Sequence, residues 1–215
     1  MLAFLGALGE EADGGGPPDD AIQTEVENPR PDEDNIDTLL RNAEVNAEAG
    51  RNLLAFQGFV RAANLMMGED DYIGAAHAFT RAVEVAEPVG EDTGRIEGPA
   101  VHALFVTAEH EDIWEILDRL EEFLPEWHVI PLIRARAHLL RGDLEPAEQI
   151  LQPIREFPDA AADPLFIAVE VDLLIQRGEV DVARRLVEEV LQDREMARWL
   201  RDYFQQLQDE LQAVP

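Results

Sequence analysis

The chain has 215 residues, 46 of them acidic and 17 basic, for a formal charge of −29; a field of that sign repels bare nucleic acid and anionic membranes and leaves basic or apolar partners. Every base is arginine, and cysteine, serine and lysine are absent, which excludes disulfides, thiolate metal sites, serine or cysteine nucleophiles and lysine Schiff bases. An apolar share of 46% is still that of a folded protein.

Met1–Gly9 (MLAFLGALG) is apolar but has no basic start and is too short to span a membrane, so neither a secretory signal nor an anchor is expected, and the cytoplasm is the expected location. From Glu10 to Asp37 the chain carries three consecutive glycines, Pro17, Pro18, Pro29 and Pro31, and eleven acids against the single base Arg30. Such a stretch cannot bury enough apolar surface to fold. Residues 1–34 therefore read as a disordered acidic arm, whose apolar start either docks in a groove or is a frayed end, and residues 35–214 as the folded domain.

From Asn35 onward apolar residues recur at three and four, as in Ile36, Leu39, Leu40 and Ala43, and again in Leu53, Phe56, Val60 and Met67. Gly50, Gly68, Pro88 to Pro99, Glu109–Asp112, Pro125, Gly142, Pro158 to Pro164 and Gly178 cut the chain into helix-sized pieces. Gly98–Pro99 and Asp163–Pro164 place proline where a first helical turn tolerates it, which predicts helix starts there. Pro153 predicts a kink or an early stop, because inside a helix proline costs about 3 kcal/mol.

The pieces repeat. Asp71, Tyr72, Ala75, Phe79 and Ala82 match Asp143, Leu144, Ala147, Leu151 and Ile154 at an offset of 72, and then Glu179, Val180, Ala183, Val187 and Val190 at a further 36. The missing unit appears, shifted by two residues, at Glu109, His110, Ile113, Leu117 and Leu120. In each set the leading acid is expected to cap a second helix, the small residue to allow close approach, and the next two apolar residues to fill the seam between repeats. A period of this size belongs to helix pairs that bury their apolar faces on one another. Glu195–Val214 carries Met196, Trp199, Leu200, Tyr203, Phe204, Leu207 and Leu211 on one side and predicts an amphipathic capping helix.

Gly68–Pro88 (GEDDYIGAAHAFTRAVEVAEP) and Gly142–Pro158 (GDLEPAEQILQPIREFP) resemble the second half of a tetratricopeptide repeat, and Gly178–Leu191 is similar. Against the family pattern, the large aromatic near the start of each first helix is missing and the period is two residues longer. The resemblance implies an all-α fold, a right-handed α-α superhelix of helical hairpins closed by the capping helix. It also implies that the first helix of each pair lines a groove holding a peptide or partner helix. On those helices the offsets align Asn64, Arg136 and Asp172, with His102 joining after the two-residue shift; the alternative is four unrelated solvated positions. The lysine and asparagine clamp by which some family members hold an acidic chaperone tail is not carried over, because lysine is absent.

His77, His102, His110, His128 and His138 show no pairing at metal-ligand spacing, and Gly14–Gly16 lacks the lysine of a phosphate loop, so neither metal nor cofactor is expected. With 46 acids, a suitably spaced carboxylate pair carries no information. The expected function is a non-enzymatic scaffold or adaptor holding a basic or apolar peptide or helix, with self-association left open. The alternatives are an acidic mimic or chaperone that binds a basic protein by charge, and a carboxylate hydrolase.

Overall fold

The computed structural model describes residues 35–86, 94–192 and 195–213. The acidic arm over residues 1–34, with its apolar start, lies outside them. Among the described residues all regular structure is helical: α1 (Ile36–Glu48), α2 (Asn52–Gly68), α3 (Tyr72–Ala86), α4 (Gly94–Val106), α5 (Ile113–Phe123), α6 (Val129–Leu140), α7 (Leu144–Arg155), α8 (Pro158–Ala161), α9 (Pro164–Gln176), α10 (Val180–Val190) and α11 (Arg198–Ala213). None of these helices is long and apolar enough to cross a membrane.

Helices pack on their chain neighbours, α2 on α3, α6 on α7 and α9 on α10, and then on the next pair along, α3 on α5 and α6 on α9. The repeated apolar positions all face this packing. Ala75, Phe79 and Ala82 on α3, Ile113, Leu117 and Leu120 on α5, Ala147 and Leu151 on α7, and Ala183, Val187 and Val190 on α10 are buried. On α2 the approach is closest at Gly58, where an added Cβ would lie 2.9 Å from that of Ala43 on α1.

One turn recurs. Gly50, Asp70, Gly142 and Gly178 each take a left-handed backbone conformation at the end of a helix, with φ of 69°, 61°, 82° and 76°. Each donates its N–H three residues back, and the next residue donates five back, as in Gly142 to Leu139 and Asp143 to His138, or Gly178 to Ile175 and Glu179 to Leu174. This is the Schellman arrangement, which satisfies carbonyls that the helix end leaves unpaired. The left-handed residues 70, 142 and 178 stand 72 and 36 apart, so the sequence offset is also an offset of backbone geometry.

Four local expectations need correction. The α4–α5 connection has no left-handed residue; α5 starts at Ile113 after a turn through His110, three residues later than the shifted repeat implies, and leans on α3 and α6 rather than closely on α4. α4 starts at Gly94, so Pro99 lies inside it; starting early lets Ile96 as well as Ala100 reach the core, which offsets the hydrogen bond lost at proline. Of the leading acids only Asp71 caps with its side chain, accepting from the Gly74 N–H at 3.0 Å, whereas Asp143 and Glu179 make no side-chain cap. Pro158–Ala161, read as a breaker, forms the short helix α8. By contrast Asp163 does cap α9, accepting from the Leu165 N–H at 2.8 Å, and α7 ends two residues beyond Pro153.

The turn geometry sets a stability test. Gly142→Ala and Gly178→Ala should each cost about 1 kcal/mol, because an L side chain is strained at these φ values. Gly68→Ala, at an exposed helical position with open space around its Cβ, should stabilise by about 0.5 kcal/mol. Urea denaturation of the three variants measures both signs.

Candidate functional site

One face shared by α4, α6 and α9 gathers three of the four aligned polar residues, and α11 packs against it. Arg136 on α6 and Asp172 on α9, 36 residues apart, form an ion pair whose side chains are only 12% and 15% exposed. The Tyr203 hydroxyl of α11 donates to the other Asp172 carboxylate oxygen, and Arg136 Nη1 approaches the same hydroxyl at 3.3 Å. Arg136 Nε donates to the Phe105 carbonyl at 3.2 Å, and its guanidinium lies 3.6 Å from the centre of the Phe105 ring. A charge pair this dry survives only when its remaining donors and acceptors are met, and here a backbone carbonyl, a phenol and an aromatic face meet them.

His102 on α4 is held by rings. It stacks almost parallel on Trp199 of α11 at 4.7 Å and tilts against Tyr72 of α3 at 5.2 Å. Phe105, one turn further along α4, touches Trp199 at 5.3 Å and Tyr203 at 5.0 Å. Trp199 and Tyr203 are four apart on α11, so they share one helix face and reach His102, Phe105 and Arg136 together.

Burial sets the protonation of the cluster. It pushes the His102 imidazole below its ordinary value, and it pushes the Asp172 carboxyl above the usual range against the pull of Arg136 and Tyr203. The Tyr203 phenol is raised strongly, first by burial and then by the Asp172 charge.

Asn64 is not part of this cluster. It is exposed on α2, where its amide donates to the Val60 carbonyl at 2.9 Å. With Phe56, Gln57 and Val60 it borders a cavity of about 490 Å³ that also touches Ile96 of α4.

Sequence reasoning aligned His102, Arg136 and Asp172 as positions lining a partner groove; the structure brings these three together beneath α11 of the same chain, and their contacts Tyr72, Phe105, Trp199 and Tyr203 were not anticipated. One signal was present: opposite charges in the same column of adjacent repeats, Arg136 and Asp172, are what a stacked ion pair looks like in a sequence. Among the described residues no group of three histidine or acidic side chains is placed to hold a metal ion. No family model, no curated protein and no solved structure matches this chain.

Two outcomes follow for stability. Asp172→Ala leaves the Arg136 charge buried and unpaired and should cost about 3 kcal/mol, whereas Arg136→Met, Asp172→Leu and Tyr203→Phe together should recover most of the loss; urea midpoints decide between them. The native state favours neutral His102, so this group's contribution is complete above about pH 6.5 and is lost as pH falls from there towards its lower native value. Asp172 works in the opposite sense, since its raised carboxyl takes a proton more readily folded than unfolded. Near-UV circular dichroism of the tryptophans at falling pH should show an acid-weakened midpoint that His102→Asn reduces.

Proposed function

We propose that the chain is a non-enzymatic interaction scaffold, a tetratricopeptide-like series of helical hairpins following a right-handed superhelix, that holds a partner helix or peptide on the concave surface of its first helices. One observation carries the reading: the face of α4, α6 and α9 already accepts an amphipathic helix, α11, through two aromatic side chains and a buried polar anchor. A surface that orders a helix in cis has the chemistry to order another in trans, and because its walls are packed helices the partner alone loses conformational freedom.

α11 fills the row at α4, α6 and α9, so the partner's place is the continuation of that row at α2. There Asn64 offers a side-chain amide, and Phe56 and Val60 offer apolar contact. The partner is apolar or basic, as a net charge of −29 favours. That same charge supports a second reading, in which the protein is an acidic mimic or chaperone that grips a basic protein by charge alone.

The two readings separate by salt. Partner bound to the full chain should be retained when ionic strength rises from about 0.05 to about 0.5 M, and should be lost in Val60→Asp and weakened in Asn64→Ala. Binding that collapses with salt and ignores both substitutions supports the charge reading and overturns the groove.

A further inference from the structure

The repeat register allows the α3–α4, α5–α6 and α7–α9 junctions to be compared position by position, and the first differs from the other two. Four columns meet there, three on the second helix of a pair and one on the first helix of the next. Between α5 and α6 these are Trp114, Asp118, Glu121 and Arg134; between α7 and α9 they are Glu148, Gln152, Arg155 and Glu170. In both places the columns form a charged clasp. Arg134 bonds Asp118 at 2.7 Å and Glu121 at 2.8 Å. Arg155 forks Glu170 at 2.8 and 2.9 Å and reaches Glu148 at 2.6 Å.

Between α3 and α4 the same columns hold Ala76, Thr80, Val83 and Ala100, and Thr80 turns its hydroxyl back to the Ala76 carbonyl at 2.9 Å. Among the described residues no clasp forms at these columns, and a cavity of about 360 Å³ lies there, bounded by α3, α4, α5 and residues 124–127. All four columns hold small or uncharged side chains here, so none of them carries a charge without a partner.

The cavity has a defined chemistry. Phe79, Leu104, Leu120 and Phe123 give it an apolar wall, and Trp127 closes one end with its indole N–H donating to Glu97 Oε1 at 3.0 Å. The carboxylates of Glu97 and Glu126 are the charged groups among the described lining residues, and none of those residues is basic. Its volume falls within the roughly 300–1,000 Å³ of small-molecule sites, and its make-up of apolar and aromatic walls with a few polar groups is theirs too.

We propose that this cavity binds a small aromatic molecule bearing a positive charge. The ring lies against Phe79 and Phe123, and the cationic group faces Glu97 and the aromatic surface of Trp127. The overall acidity concentrates cations near the opening and repels anions of the same size. This site adjoins the α2 row, because Ile96 borders both cavities, but its ligand chemistry does not rest on a partner bound at α2.

Three indoles of different charge test the assignment: tryptamine (cationic), indole (neutral) and indole-3-acetate (anionic), titrated into the full chain while the Trp127 indole N–H resonance is followed by NMR. Tryptamine should shift that resonance saturably, indole should bind about tenfold more weakly, and indole-3-acetate more weakly still. Writing the clasp of the next junction into this one, with Val83→Glu and Ala100→Arg, should abolish the shift, and so should Ala76→Trp. Ala100→Leu fills the space without charge and makes the same comparison should the others fail to fold. No shift with tryptamine, equal binding of indole-3-acetate, or undiminished tryptamine binding in a filled variant with native helicity would each overturn the proposal.

Discussion

The structure depends on the junction between one helix pair and the next. A pair of short helices cannot cover its own apolar face, so stability comes from repeating the same overlap down the chain. That overlap fixes which side chains meet: residues about 36 apart become neighbours, as with Arg136 and Asp172, Glu44 and Arg81 at 37, or Gln176 and the Leu139 carbonyl at 37. The small column at Ala75, Ala147 and Ala183 lets the helices approach, and the left-handed turn recurs at residues 70, 142 and 178. Many of the contacts therefore join adjacent helix pairs.

Within that frame the junctions are free to differ where the apolar columns do not reach. Two are closed by arginine and carboxylates, which desolvate only partly and offer geometric specificity more than net stability. A third carries small uncharged side chains, and among the described residues a largely apolar cavity of about 360 Å³ lies beside it. A related pattern holds together the start of the array, where Arg81 of α3 forks Glu44 of α1 and also reaches Glu84, which Arg119 of α5 pairs from the other side. The hydrogen bonds from Arg81 hold the Glu44 carboxyl below the usual range.

The last helix converts a row of inner-facing polar residues into the inside of the protein. Arg136 and Asp172 would be a poor use of stability if left to water, where such pairs are worth little. Under α11 they become dry, aromatic on two sides and dependent on Tyr203. The same helix stacks Trp199 on His102, whose imidazole is held below its ordinary value by burial.

The helices, most of their ends and the recurring offset were legible in the sequence because they arise from local patterning: apolar spacing at three and four, glycine where φ must be positive, and proline after Asp163. What failed locally failed for tertiary reasons. α4 extends back to Gly94 because Ile96 finds a core position there, and Asp143 and Glu179 leave their helix ends uncapped although the column expects a cap. Which residues touch across the inner face was decided only by the fold, since the meeting of Trp199 with His102, 97 positions earlier, depends on how several junctions add together. The sequence by itself determined that helix pairs must stack and with what period; only the tertiary structure decided that α11 covers the row and that, among the described residues, a cavity lies beside the α3–α4 junction, because those outcomes depend on the summed geometry of neighbours rather than on the preference of any single segment.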